Sequence, residues 1–123
     1  MHNTYVLNLA HDLWGKKWRT SILYALRDGP KRFSEIKTHV PDCSVKVLSE
    51  ALKELENNKL IIREVNTGIP IKVIYTLHPD LVPMMELKHH YNKFLAEFFL
   101  KYPDRFILPK EIVEKLQQDM VTE

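Results

Sequence analysis

The chain has 123 residues, which suits one domain and leaves little for a second. Hydrophobic residues make up 45% and charged residues 28%, so disorder along the whole length is excluded, and the single cysteine, Cys43, excludes an internal disulfide or a multi-cysteine metal site. Eighteen Lys and Arg against sixteen Asp and Glu leave a net charge of +2, which does not by itself indicate a nucleic-acid binder.

Thr4 is a candidate cap for a first helix, with Tyr5, Leu9 and Leu13 along one side, joined by Val6 and Ala10. Gly15 is a plausible stop. The next helix is expected from about Lys17 to Asp28, because Trp18, Ile22, Leu23, Ala25 and Leu26 recur at helical spacing and Asp28-Gly29-Pro30 follows. Lys31-Arg32-Phe33 reads as extended. Ser34 is the expected cap of a short helix from Glu35 to about Val40, which Pro41 ends. Ser44 is a good cap for a further helix from Val45 to about Asn58. Its inward stripe is Leu48, Ala51, Leu52 and Leu55, and Asn58 or Lys59 takes the left-handed position after it.

Two β-rich runs come next, Leu60 to Val65 and Ile71 to Leu77, joined by the turn-rich loop Asn66-Thr67-Gly68-Ile69-Pro70. A long helix should start near Pro79 to Leu81 and run to about Tyr102, with Pro83 in its first turn. Its apolar stripe comprises Met84, Leu87, Tyr91, Phe94 and Phe98, widened by Leu95, Phe99 and Tyr102. Pro103-Asp104 breaks the chain. Pro109 starts a last amphipathic helix through Ile112, Val113, Leu116 and Met120. The fold class is therefore mainly α with a small β-hairpin wing. Three helices closed by a two-stranded ribbon are the plan of a winged helix-turn-helix, here with extra N- and C-terminal helices. Residues 1–123 are read as one domain. Three glycines, against about nine at average usage, agree with a mostly helical chain.

The small net charge hides an asymmetry. Residues 16–72 carry +5, residues 1–15 carry −1 and residues 73–123 carry −2. The basic excess coincides with the helix-turn-helix and wing, as a polyanion-facing surface would require. On a wheel of about 100° per residue, Leu52 and Leu55 fall within about 40° of Leu48. Lys46, Glu50, Lys53 and Asn57 fall opposite, with Ser49 at the edge. A helix in the major groove reads base edges with such groups, and Ser44 with the first-turn N–H groups can hold a phosphate. A merely solvated helix face would look similar. Arg63 and Lys72 flank the wing loop, and Arg32 sits at the other edge of the unit.

These residues resemble the HxlR-type regulators, winged-helix proteins related to the MarR-type repressors. The likeness runs through Asp12-Leu13-x-Gly15-x-Lys17-Trp18, Ile22-Leu23, Leu26 and Gly29-Pro30-x-Arg32-Phe33-x-Glu35-Ile36. It continues through Pro41-x-x-Ser44-x-Lys46-x-Leu48-Ser49-x-x-Leu52-x-x-Leu55-Glu56, then Leu60-Ile61-x-Arg63, Pro70, Val73, Tyr75 and Leu77. The resemblance covers about residues 10 to 79, which it implies are the DNA-binding unit, and it implies that 80–123 are dimerisation helices. It implies a dimeric, DNA-binding transcription factor without enzymatic activity, probing successive major grooves with its two recognition helices. It places Arg32, Ser44, Lys46, Ser49, Lys53 and the wing at the DNA. Val47, Glu50, Arg63 and Lys72 complete the candidate set. The first helix and the C-terminal helices are the implied dimer interface, with Tyr5, Leu9, Met84, Leu87, Tyr91, Phe94 and Phe98 as its candidates.

The chain departs from the family in several places. The Cys-Pro that many members carry before the first helix, a redox sensor in some, is absent. Cys43 occupies a usually apolar turn position. Lys16 and Lys59 replace common glycines, and His78-Pro79 replaces Thr-Pro. Cys43 lies one residue before the cap of the recognition helix. Helix N-termini activate thiols, so a redox role is a candidate beside the plainer one of a packed turn residue.

Other chemistries find less support. Adjacent His89 and His90 point about 100° apart on a helix, and Glu35 with His39 supplies two ligands only, so no metal or other cofactor is expected. Ser34 with His39, or Ser21 with His11, lacks an acid to complete a triad. There is no Gly-x-Ser-x-Gly elbow or phosphate-binding glycine loop, so no enzyme is expected. The aromatic stripe of the long helix could line a small-molecule effector pocket, but core plus dimer interface explains it more simply. No segment approaches the roughly 18 to 20 apolar residues of a membrane span, and the N-terminus lacks the pattern of a secretory signal. The expected partners are double-stranded DNA and a second copy, the expected compartment the cytoplasm, and the expected activity repression. The competing reading is a winged helix that has lost DNA binding and serves as a dimerising interaction module.

Overall fold

The computed structural model describes residues 4–102, 105 and 108–122, apart from the side chains of 119–122. The Pro103-Asp104 break and the Met120 side chain lie outside the described residues. The helices are α1 (Thr4–Ala10), α2 (Arg19–Leu26), α3 (Phe33–His39), α4 (Val45–Asn57), α5 (Val82–Lys101) and α6 (Lys110–Thr122). A π-helical turn, His11–Gly15, extends α1, and a 3-10 turn, Pro79–Leu81, precedes α5. Strands β1 (Ile61–Asn66) and β2 (Lys72–Leu77) form an antiparallel ribbon in which Ile61 pairs with Leu77 and Asn66 with Lys72. The chain divides into two compact units, Met1–Met85 and Glu86–Glu123.

The first unit is the winged helix. Its core joins Ile22, Leu23 and Leu26 of α2, Ile36 of α3, Leu48, Leu52 and Leu55 of α4, Ile61 and Leu77 of the ribbon, and Met85. Each of these residues is at most 6% exposed. Burying a side chain of this size stabilises by about 1.5–3 kcal/mol, so the leucine spacing of α4 is what fixes that helix to the unit.

Both ends of α4 follow from local chemistry. Ser44 has extended backbone, and its Oγ accepts from the Val47 N–H at 3.1 Å. This satisfies one donor that the helix start leaves without a partner. At the far end Lys59 adopts φ 60°, its N–H donates to the Glu56 carbonyl at 2.9 Å, and the Leu60 N–H donates to the Leu55 carbonyl at 2.9 Å. That bond pair is a Schellman cap with lysine where glycine is usual. The left-handed residue anticipated at 58 or 59 is thus Lys59.

Three boundaries differ from the sequence reading. Ser34 does not cap α3. Arg32 holds that place with extended backbone, and the Glu35 carboxylate accepts from the Arg32 N–H at 3.0 Å. The acceptor three residues ahead captures the N–H, so the helix starts at Phe33 rather than Glu35. The helix expected from Lys17 begins at Arg19, because Trp18 turns left-handed at φ 75°. The first helix changes pitch at His11, and Gly15 fits there because a Cβ would meet the His11 ring at 3.0 Å. The turn after α2 uses Gly29 at φ 139°, a conformation that side chains disfavour.

A third extended segment joins the ribbon. The Lys31 N–H donates to the Tyr75 carbonyl at 2.9 Å, and the Tyr75 N–H donates to the Lys31 carbonyl at 2.8 Å. This bridge brings Arg32 beside the base of the wing.

In the second unit, Phe94 and Phe98 stack with centroids 6.0 Å apart, and Tyr102 meets Phe98 edge-on at 5.5 Å. The four-residue spacing lays Phe94 and Phe98 along one stripe of α5, and Tyr102 continues it just past the helix end. Partial burial lowers the pKa of Lys88 by desolvation.

Candidate nucleic-acid interface

The helix-turn-helix comprises α3, the 40–44 turn and α4. A buried apolar face and a cation hold the turn. Val40 and Cys43 lie in the core at 2% and 1% exposure. The Lys37 ammonium donates to the Pro41 carbonyl at 2.7 Å and the Cys43 carbonyl at 2.6 Å. These carbonyls precede α4 and would otherwise need water, so Lys37 sets where the recognition helix begins. Sequence reading missed this role; a lysine six residues before Cys43 carries no local signal of it.

Exposed on α4 are Lys46, Val47, Ser49, Glu50 and Lys53, the set expected to face DNA, and Ser44 is exposed at its start. The Ser44 oxygen already accepts from Val47, but its hydroxyl hydrogen can still be donated to a phosphate. Arg32, Arg63 and Lys72 are also exposed.

The ribbon separates two cations that look paired in sequence. Arg63 stands opposite Tyr75, on the same face as Ile61, while Lys72 stands opposite Asn66 at the tip. Side chains alternate along a strand, so Arg63 and Lys72 project from opposite faces and cannot share one phosphate. The loop beyond them also carries exposed apolar side chains. Ile69 is fully exposed and Ile71 is 69% exposed, while the Gly68 N–H is held by the Asn66 Oδ1 at 3.1 Å. The wing therefore offers a polyanion one cation at its tip, beside exposed isoleucines, and one on the opposite face of the ribbon.

The candidate dimer residues fall into three environments. Tyr5, Leu9, Leu87, Tyr91 and Phe94 are exposed, Tyr5 at 83% and Leu87 at 70%. Phe98 is half-buried within the aromatic stripe of the second unit. Met84 is partly buried against the core of the first unit. Helix α1 has no buried residue, and Val6 and Leu7 are also exposed. The apolar side chains of α1 are thus left uncovered in the single chain.

Cys43 is buried, and its thiol donates weakly to the Ser44 carbonyl at 3.6 Å. Among the described residues there is no cluster of three or more His, Cys, Asp or Glu that could hold a metal ion. No described helix is long and apolar enough to cross a membrane.

The profile of the HxlR-like helix-turn-helix family matches residues 13–97. The HTH-type transcriptional regulator YodB of Bacillus subtilis is 52% identical over 68 residues, spanning 55% of this chain and 61% of YodB. The chain thus aligns with less than two thirds of that relative. The solved structure of reduced YodB superposes with TM-score 0.69 at 38% identity, covering 80% of this chain and 95% of the other. The redox regulator HypR in its oxidized form gives TM-score 0.64 at 30% identity, covering 72% and 94%.

Proposed function

Because the chain belongs to the HxlR-like helix-turn-helix family of transcriptional regulators, we propose that it works as a homodimeric repressor on a pseudo-palindromic operator. Each α4 enters a major groove, and the two half-site centres lie about one helical turn apart. Ser44, Lys46, Ser49 and Lys53 contact bases and phosphates, and the wing contacts the neighbouring backbone or minor groove. Occupancy would occlude the promoter. The observation that carries this reading is the two-faced character of α4. Leu48, Leu52 and Leu55 are locked in the core, while Lys46, Ser49 and Lys53 stand exposed on the helix that Ser44 caps.

The dimer reading is supported by the apolar surface of α1 and by exposed Leu87, Tyr91 and Phe94 on α5. A mobility-shift titration on the DNA upstream of the chain's own reading frame tests the function. A saturable shift that weakens steeply with salt is expected. A folded dimer that shifts no DNA at low salt would instead favour an interaction module. Thiol sensing through Cys43 is a second reading, favoured by likeness to HypR, a redox regulator. It requires the 40–44 turn to open first, because the thiol is 1% exposed.

A further inference from the structure

We propose that Arg19 is a positioning residue for DNA recognition, tying the end of the N-terminal helical segment to the flank of α4. Its Nη1 donates to the Asp12 carbonyl at 2.8 Å and to the Leu13 carbonyl at 3.2 Å. Its Nη2 pairs with the Glu54 carboxylate. The Arg19 side chain is 11% exposed, so the contact is largely shielded from solvent on the arginine side.

The chemistry accounts for arginine here. The π-helical turn leaves carbonyls without helical partners, and a cation is favoured at such an end. Thr20 secures the same end by donating to the Trp14 carbonyl at 2.8 Å. Trp18, at φ 75°, precedes α2, and Arg19 is the first residue of that helix. A guanidinium offers donors from separate nitrogens in a planar fork, so one nitrogen serves the carbonyls while the other serves the carboxylate. Lysine has one nitrogen and glutamine no charge.

Glu54 follows Lys53 and lies one turn beyond Glu50, at the edge of the face that carries Lys46, Ser49 and Lys53. A helix with side chains is about 10 Å across, so a rotation of roughly 10° moves a side-chain tip by about 1 Å. Hydrogen bonds to base edges tolerate less than that. By fixing the flank of α4, Arg19 sets its rotation in the groove. By holding the Asp12 and Leu13 carbonyls, it links that rotation to the segment whose apolar helix α1 is the proposed dimer surface. This inference rests on the DNA-binding reading above.

The test uses the full chain as Arg19→Gln, Glu54→Gln and the double variant, with two readouts. The first is affinity for a duplex that the wild type selects from random sequence, compared with an unrelated duplex. Each single variant should lose about fivefold in the ratio of the two affinities, and the double variant should lose no more than either single one. Affinity for the unrelated duplex should move only slightly and in opposite directions, up for Glu54→Gln and down for Arg19→Gln, because each substitution changes the charge by one. A general loss of stability would lower both affinities together and would overturn the proposal, as would an unchanged ratio. The second readout is hydrogen exchange without DNA. Arg19→Gln should speed exchange in both 11–15 and 45–57, and unchanged exchange in 45–57 would overturn the link. If the wild type selects no duplex, the DNA-binding reading fails, and the exchange result alone decides whether Arg19 couples the two segments.

Discussion

The ammonium of Lys37 sits 2.6 Å from the carbonyl oxygen of Cys43, across the turn that launches the recognition helix. A second bond to Pro41 at 2.7 Å makes the lysine a clamp on both ends of the turn's middle. A charged hydrogen bond contributes about 1.5–3 kcal/mol when shielded and less where solvent competes. Lys37→Met should therefore lower stability by about 1–2 kcal/mol in urea denaturation and also weaken DNA binding. Stability within a few tenths of wild type would mean that water serves the carbonyls equally well.

The cap at Ser44 gives a separable prediction. Ser44→Ala should cost about 1 kcal/mol, and Ser44→Gly only a few tenths. An Ala variant as stable as the wild type in thermal denaturation would contradict a stabilising bond between Ser44 Oγ and the Val47 N–H.

Lys59 predicts a gain. Its φ of 60° costs a side chain what glycine does not pay. Lys59→Gly should stabilise the protein by roughly 0.5–1 kcal/mol, read as a higher urea midpoint with unchanged slope. A lower midpoint would show that the lysine side chain supplies more than its backbone strain removes.

Cys43 should behave as a buried group. Native protein should react slowly with a thiol-labelling reagent and rapidly once unfolded, since its residue exposure is 1%. Cys43→Ser should leave the response of DNA binding to oxidant unchanged if the residue is packing alone. A response that Cys43→Ser abolishes would establish the sensing role instead.

Much of this was legible because its causes are local. The leucines of α4, the Ser44 cap and the left-handed residue near 58 and 59 each answer to neighbours within five positions. The long helix and the wing were similarly visible, with strand ends displaced by a single residue. The start of α3 was misplaced because Ser34 is a strong cap by type, whereas Glu35 acts back on Arg32. What remained hidden depends on distance in sequence. Arg19 meets Glu54, Lys31 pairs with Tyr75, and Lys37 reaches over the turn to Cys43. No periodicity encodes such partners. The opposite faces of Arg63 and Lys72 also required the strand register.

The central claim is that the exposed face of α4 reads DNA as part of a dimer. It is tested most directly by a salt-dependent anisotropy titration of the upstream duplex with wild type and Lys46→Ala, the oligomeric state being checked by sedimentation. The wild type should bind as two chains per duplex. Lys46→Ala should remain a dimer, bind about three- to tenfold more weakly and reduce the salt slope by about 1. Equal binding by the two proteins, or loss of the dimer in Lys46→Ala, would contradict the assignment of this face to DNA.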